Sequence, residues 1–248
     1  MIFELDDSSK VKTLFADWEE TLIYSCLQRV MGKIYVTDPD DPKAACAFVG
    51  CFAFYAGVPD RELIMGKPQG FVIMTPQNES WARLIEACYP EARKVTRFAI
   101  RKDTSFDVDK LEGFVRKLPA GYTLREIDGG LYDQCLENGF SADFVSSFGD
   151  KESFLSLGRG MVVLKDGNIV AGASSYTRYL EGIEIEVDTQ ESERRKGLAT
   201  AVCAALILRC LKEGLYPSWD AQNMISVHLA EKLGYVFSHD YEVYEVFS

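Results

Sequence analysis

The feature that most constrains this sequence lies in its second half, where an alternating strand leads through a basic loop into an apolar helix. Ile183, Ile185 and Val187 alternate with acidic residues, and this period of two predicts a β-strand with one acidic face. After a polar loop, the sequence from about Lys196 to Lys212 predicts a long, strongly apolar helix. Strands mixed with crossover helices predict an α/β fold, an α+β mixed sheet with helices on its faces.

The start of this helix has the chemistry of a phosphate-binding site. A helix N-terminus presents unpaired N–H groups and the positive end of the helix dipole, which together suit a pyrophosphate. Gly197 lets the backbone approach a ligand without a Cβ, and the small Ala199 keeps the first turn open. Arg194, Arg195 and Lys196 add positive charge in a chain whose net charge is −11. The alternative interpretation is a solvated, basic start of a helix.

Composition narrows the possible functions. A net charge of −11 argues against a general nucleic-acid binder, since such proteins are usually basic. Seven scattered cysteines without a CxxC pair, and only two histidines, predict neither a metal site nor a disulfide framework. The N-terminus lacks the order of a signal peptide, and the longest apolar run, 198–211, is too short for a bilayer. We therefore expect a cytoplasmic protein that binds neither nucleic acid nor membrane.

Two domains are expected from the position of a proline- and glycine-containing segment near the middle of the chain. Proline and glycine cluster at 118–121 before a strand pattern, which predicts domains of residues 1–118 and 119–248. The first half has a faintly similar order of elements, including Gln77 and Asn78 at the start of a helix. One hypothesis is that it is a degenerate copy of the second domain. The other is that it is simply a small α+β domain.

Two motifs in the second half resemble a known family. The pattern Arg194-x-x-Gly197-x-Ala199 after a strand resembles the acyl-CoA pyrophosphate loop, Gln/Arg-x-x-Gly-x-Gly/Ala, of GNAT acetyltransferases. The stretch from Asn223 to Tyr235 is similar to the second signature of that family, Asn-x-x-Ala-x-x-Leu-Tyr-x-Lys-x-Gly-Phe. Strands, loop and helices follow in the same order. The end of the chain also resembles a branch that includes zwittermicin-resistance acetyltransferases, whose substrate is a cationic aminopolyol.

This resemblance implies a reaction and a set of site residues. The implied chemistry is direct attack of an acceptor amine on the thioester of acetyl-CoA, the co-substrate, with a general base to take up the proton. The candidate bases are Glu186, ranked first, and Glu184, both expected on one face of the strand; alternatively they are solvated or bind a cationic substrate. The implied cofactor-binding residues are Val187, Thr189, Arg194, Arg195, Lys196, Gly197, Leu198, Ala199, Thr200 and Asn223. For Asn223 a helix N-cap is an alternative role, compatible with the first.

One departure from the family pattern affects the mechanism. The tyrosine that often serves as general acid toward the leaving thiolate is replaced here by Ala230. We expect an enzyme that acetylates the primary amine of a small, cationic molecule, with one coenzyme bound per chain. A protein or peptide acetyltransferase is a second hypothesis. A non-catalytic acyl-CoA-binding module is a third, and Ala230 is the feature that favours it.

Overall fold

The computed structural model describes residues 1–247, which divide into two compact units. The first unit consists of Met1–Arg97 together with the chain from Asp240 onward, and the second consists of Phe98–His239. Among the described residues, none of the helices combines the length and the apolar character that a membrane crossing requires.

The first unit is built on a mixed sheet. Its elements are β1 (Phe3–Glu4), a 3-10 helix (Ser8–Phe15), α1 (Thr21–Leu27), β2 (Lys33–Val36), β3 (Ala44–Val49), β4 (Phe52–Gly57), α2 (Arg61–Met65), β5 (Val72–Pro76), α3 (Glu79–Cys88) and β6 (Arg93–Ile100), whose last residues belong to the second unit. Strands β1 to β4 pair antiparallel in sequence order, and β4 pairs parallel to β5.

The second unit has a five-stranded sheet in the order β11-β10-β9-β8-β7. Its elements are α4 (Val108–Arg116), β7 (Tyr122–Glu126), α5 (Gly129–Glu137), α6 (Asp143–Ser146), α7 (Lys151–Leu157), β8 (Gly160–Lys165), β9 (Asn168–Tyr179), β10 (Gly182–Thr189), a 3-10 helix (Glu191–Glu193), α8 (Leu198–Lys212), β11 (Tyr216–Ser218), β12 (Asp220–Ala221), α9 (Met224–Leu233) and the start of β13 (Phe237–Val246). All pairs are antiparallel except β10 with β11. The predicted mixed α/β fold is therefore confirmed.

Helix α8 forms the centre of the core of the second unit. Its residues from Leu198 to Ile207 are buried except Ala199, as the apolar sequence requires. They pack against Ile183 and Ile185 of β10, so the apolar face of that strand lies against α8 and its acidic face points to the opposite side of the sheet. The predicted strand and helix are thus both present, with the faces that the alternation predicts.

The two units repeat one order of elements. In each, antiparallel strands are followed by a helical crossover to a parallel strand and then by a helix capped by an asparagine. These crossover helices are α2 in the first unit and α8 in the second, and the capping residues are Asn78 and Asn223. Helix α2 has only 5 residues whereas α8 has 15, so the first unit is the reduced version.

The division between the units differs from the predicted boundary at residue 118. Ile100 and Leu111 are buried in the core that surrounds α8, so the segment before residue 118 packs with the second unit. At the end of the chain, β13 runs without a turn through residues 238–240. Residues near the end of β13 pair with β5, for example Tyr244 with Met74, which places the end of the chain in the first unit.

Candidate active site

Strands β10 and β11 separate part-way along their length. They pair in parallel from Gly182 to Glu184, where Glu184 lies opposite Ser218. Beyond that point the chain leaves β10, and Asp220 and Ala221 pair with β6 instead. Strand β10 continues along β9 as far as Thr189. An opening therefore lies on one side of β10, next to the loop that leads into α8.

The hydrogen-bond alternation of β10 determines which backbone groups face this opening. The N–H of Ser175, the partner of Ile185, donates to the carbonyl of Arg159 at 2.8 Å, so it points away from β10. Further along, the N–H of Gln190 donates to the carbonyl of Val170 at 2.9 Å, toward β9. Between these points the antiparallel alternation directs the backbone groups of Val187 away from β9 and toward the opening.

Thr189 faces the same side but already has partners there. Its N–H donates to Asp188 Oδ1 at 2.7 Å, and its carbonyl accepts from Arg194 Nε at 3.1 Å. Of these two residues, both of which the resemblance implies to be cofactor-binding, Val187 therefore has the open position. Thr189 instead holds the loop against the end of β10.

The N-terminus of α8 lacks the side-chain cap that other long helices of this unit have. Asp107 caps α4 and Asn223 caps α9 with side-chain oxygens, whereas the N-cap of α8 is Gly197, with φ at +83°. Apart from the two chain neighbours of Gly197, no heavy atom of residues 1–247 lies within 4 Å of the position that its Cβ would occupy, so the approach is open. An anion can therefore meet the first-turn N–H groups directly. Arg195 also has a positive φ, of 65°, which is uncommon for a residue other than glycine.

The basic residues of the loop have different roles. Lys196 donates to the buried carboxylate of Glu193 at 2.8 Å; Lys165 also donates to it, at 2.9 Å, as does the hydroxyl of Tyr122. These hydrogen bonds, with that of Lys196 the strongest, lower the pKa of Glu193 to about 2. Glu193 thus anchors the loop, although sequence analysis did not select it; its only sequence signal is an acid directly before three basic residues.

Arg194 and Arg195 complete this division of roles. Arg194 NH2 lies 3.7 Å from Asp188 Oδ1, so Arg194 is tied to the end of β10. The exposed guanidinium of Arg195 has no hydrogen bond or ion pair within residues 1–247. Of the three basic residues that the sequence predicted to bind phosphate, Arg195 is therefore the one whose charge is available to a ligand.

The remaining predicted residues of the loop contribute through their backbone. Leu198 is buried in the core, and Thr200 Oγ1 accepts a hydrogen bond from Lys232 Nζ at 3.2 Å. Ala199 is half-buried and carries no polar side chain. Their N–H groups lie in the first turn of α8, where they have no partner within the helix.

Asn223 has the capping role that the sequence left open. Its Oδ1 accepts from the N–H of Ser226 at 3.0 Å at the start of α9. Ala230, further along that helix, is fully buried in the core, so the position of the usual general acid does not reach a surface. The nearby Tyr235 hydroxyl donates to the carbonyl of Pro217 at 2.6 Å and is fully engaged in the core.

The two acidic candidates on β10 lie in different surroundings. Glu186 is half-buried, and burial raises its pKa to about 7, with further contributions from Asp143 and Asp188. Its carboxylate has no hydrogen bond or ion pair within the described chain. Glu184 is buried, and its Oε2 lies 4.0 Å from Lys102 Nζ. Glu186 therefore has the electrostatics of a general base near neutral pH, while Glu184 lies beside a lysine ammonium.

Comparison with known proteins identifies the family. A family model described as GNAT acetyltransferase matches residues 12–244. The chain belongs to the GNAT acetyltransferase family. A GCN5-related N-acetyltransferase-like protein from Streptococcus suis 89/1591 has 47% sequence identity and a TM-score of 0.92, with 97% of this chain and 98% of that chain covered. The uncharacterized N-acetyltransferase YdfB of Bacillus subtilis (strain 168) is 26% identical over 95% of this chain and 94% of its own length.

A more distant structure bears on the architecture of this GNAT protein. The tandem GNAT protein from the clavulanic acid biosynthesis pathway has a TM-score of 0.59 at 13% identity, with 99% of this chain and 98% of that chain covered, which shows a shared fold. The predicted fold class, an α/β fold with a C-terminal GNAT domain, is confirmed, and so is the predicted enzyme class, N-acetyltransferase. Of the two hypotheses for the first half, the shared tandem fold favours a degenerate GNAT-like copy.

Proposed function

We propose that this GNAT protein transfers the acetyl group of acetyl-CoA to the primary amine of a small, cationic acceptor. One observation carries the proposal: Glu186, a carboxylate whose pKa is raised to about 7, lies on the strand that borders the opening and leads directly to the uncapped N-terminus of α8. A base that titrates near neutral pH is suited to taking a proton from an amine under ordinary conditions.

The opening has groups suited to the parts of coenzyme A. The first-turn N–H groups of Leu198, Ala199 and Thr200, together with the guanidinium of Arg195, would hold the pyrophosphate. The backbone of Val187 would pair with the amide groups of the pantetheine arm, as an added strand does at an open sheet edge. This placement supports acetyl-CoA as the co-substrate.

Glu186 would then perform the proton transfer. Its carboxylate accepts the proton that the ammonium of the acceptor loses, and the free amine forms the new N–C bond while the C–S bond of the thioester breaks. Because Ala230 is buried, the chain supplies no general acid from that position. A thiolate is a tolerable leaving group because the pKa of an ordinary thiol is about 8.5, and through solvent it can take up the second proton, which the nitrogen loses as the amide forms.

The acceptor class follows from charge. The acidic side chains around Glu186 and the net charge of −11 favour a cation over an anion. The resemblance of the chain's end to zwittermicin-resistance acetyltransferases adds an aminopolyol to the amines that we would test first. A lysine-containing peptide is the second candidate, and the same assay can include it.

Titration calorimetry with acetyl-CoA tests the coenzyme site. Arg195→Asn removes the charge while keeping a residue that tolerates a positive φ, and we expect the Kd to rise about 5- to 10-fold. Lys212→Asn, at the opposite end of α8, makes the same change in net charge and should leave the Kd unchanged. Equal Kd values for all three proteins would contradict the proposed binding of the coenzyme at the N-terminus of α8.

Turnover with a panel of amines and peptides tests the chemistry. Glu186→Gln should keep its affinity for acetyl-CoA and lose activity by about 10²- to 10⁴-fold, the usual contribution of a general base. Wild-type turnover that survives this substitution would contradict the assigned role. Coenzyme binding without turnover of any amine or peptide would contradict the proposed function as a whole.

A further inference from the structure

A row of small and polar residues crosses the sheet beside the proposed base. Gly160 of β8 pairs with Ser174 of β9, and Ser174 pairs with Glu186 of β10. Directly paired residues of an antiparallel sheet project their side chains to the same face. The side chains of Ser174 and Glu186 are therefore neighbours on the face opposite α8.

Ser174 is buried without a partner for its hydroxyl. Its exposed fraction is 0%, and its Oγ has no hydrogen-bond partner among the described residues. Thr177, which pairs with Glu184 on the same face, is also buried, and its hydroxyl has no hydrogen-bond partner among the described residues. Buried hydroxyl groups in native proteins nearly always have a hydrogen-bond partner, so two such groups beside a base indicate that a ligand supplies the missing one.

Aromatic residues of two short helices border this row. A Cβ at Gly172, the next residue along that face of β9, would lie 2.3 Å from Phe144 of α6, so the ring rests on the strand backbone. A Cβ at Gly160 would lie 3.3 Å from Phe154 of α7. The hydroxyl of Ser174 thus lies between apolar walls that limit its access to water, and a ligand there is held close to Glu186.

The charged groups that act on the pKa of Glu186 are both acidic. Asp143, at the start of α6, directly precedes Phe144, whose ring rests on Gly172, and Asp188 is the pairing partner of Gly172 on β10. Both carboxylates raise the pKa of Glu186. Asp188 is paired with Arg194, but Glu186 and Asp143 have no ion pair within residues 1–247. A bound cation would relieve this repulsion, and a cation with two charged groups could meet both free carboxylates.

We propose that Ser174 and Glu186 together bind the reacting ammonium of a diamine, and that Asp143 binds its second ammonium. The inference deepens the proposed function, on which it rests, by naming the acceptor class and two residues that select it. An ammonium has three N–H donors, of which Glu186 and Ser174 accept two. Once Glu186 has taken its proton, the hydroxyl of Ser174 still holds the amine in place.

Binding of two matched amines tests the inference without depending on turnover. Putrescine and n-butylamine have the same carbon chain, and only putrescine has a second ammonium. In calorimetric titrations of the full chain, with and without coenzyme A, we expect the wild type to bind putrescine at least 10-fold more tightly. If neither amine binds the wild type, or both bind equally, the inference is overturned.

Ser174→Ala separates ligand binding from structural support. The variant should bind both amines about 5- to 20-fold more weakly, yet its melting temperature should not fall, because it removes a buried hydroxyl that has no partner. Thr75→Val is the matched control, since Thr75 lies in the first unit and its buried hydroxyl also has no partner among the described residues. It should leave amine binding unchanged. Wild-type amine affinity in Ser174→Ala would overturn the role of Ser174.

Asp143→Asn tests the second ammonium. The variant should lose most of the preference for putrescine while its Kd for n-butylamine changes less than 2-fold. A preserved preference would overturn the role of Asp143. Failure of the proposed function has a different signature, because amines would then bind as expected without being acetylated, whereas acetylation that is unaffected by Ser174→Ala would overturn only the inference.

Discussion

Replacing Glu186 by glutamine should change the stability of the protein as well as its activity. The change in stability should depend on pH, because the surroundings of Glu186 in the folded protein raise its pKa. Burial, with Asp143 and Asp188, raises the pKa of Glu186 from 4.5 to about 7 in the folded protein. Between these two pH values the folded chain holds a proton that the unfolded chain has lost. The contribution of Glu186 to the stability of the wild type therefore falls as pH rises from 4.5 to about 7, and its full destabilising effect is present above pH 7.

The size of this cost follows from the same pKa. At about 1.4 kcal/mol per pKa unit, a rise from 4.5 to about 7 corresponds to about 3 kcal/mol. Glu186 is only half-buried, so solvent screens part of this energy, and we expect about 1–2 kcal/mol. Because glutamine is neutral at every pH, Glu186→Gln should be more stable than the wild type by this amount at pH 8 and nearly equal to it at pH 4.

Thermal melts of both proteins from pH 4 to pH 8 measure this difference. For a chain of this size about 1 kcal/mol corresponds to about 2–4 °C, so the two melting temperatures should diverge visibly above pH 7. Glu184→Gln is the matched control, made two residues away on the same strand. It should destabilise the protein, because Glu184 is buried within 4.0 Å of Lys102 Nζ, which would lose its acidic partner.

Two results would refute this reasoning. If the difference in melting temperature between Glu186→Gln and the wild type does not change with pH, the surroundings of Glu186 do not raise the pKa of its carboxylate. A loss of stability in Glu186→Gln at pH 8 would mean that its charge is compensated by a cation. Activity should depend on the deprotonation of Glu186, so wild-type kcat/KM should rise with pH to a plateau above about 7.

The other predictions concern the loop, the core and the number of coenzyme sites. Glu193→Gln releases Lys165 and Lys196, so we expect the Kd for acetyl-CoA to rise about 5-fold; calorimetry that shows no change would contradict the anchoring role. Since the folded pKa of Glu193 is lowered to about 2, the stability advantage of the wild type over this variant should shrink as pH falls from 4.5 toward 2 in urea titrations. Leu111→Ala should destabilise the second unit by about 2–5 kcal/mol, and a loss below 1 kcal/mol would mean that α4 is not part of its core. Titration should find one acetyl-CoA per chain, because the carboxylate of Asp60 already caps the N-terminus of α2, where a phosphate would be repelled; two sites would disprove this.

The sequence determined the elements whose signals are local. The alternation in β10 and the apolar composition of α8 each arise within one continuous stretch, so their existence and their buried faces were predictable. Gly197 at the start of α8 was predictable for the same reason, since the geometry of a loop between a strand and a helix depends on a few consecutive residues. The family resemblance rested on the same two stretches of chain.

Tertiary structure decided what depends on residues distant in sequence. The pairing of β13 with β5, and the packing of Leu111 in the second core, place the division of the chain where no turn signal marks it. The difference between Glu184 and Glu186, which are equivalent in the alternation, comes from Lys102 near one and from Asp143 near the other. Burial and charge at a site are sums over all neighbours in space, and a chain's own order does not show which residues those neighbours will be.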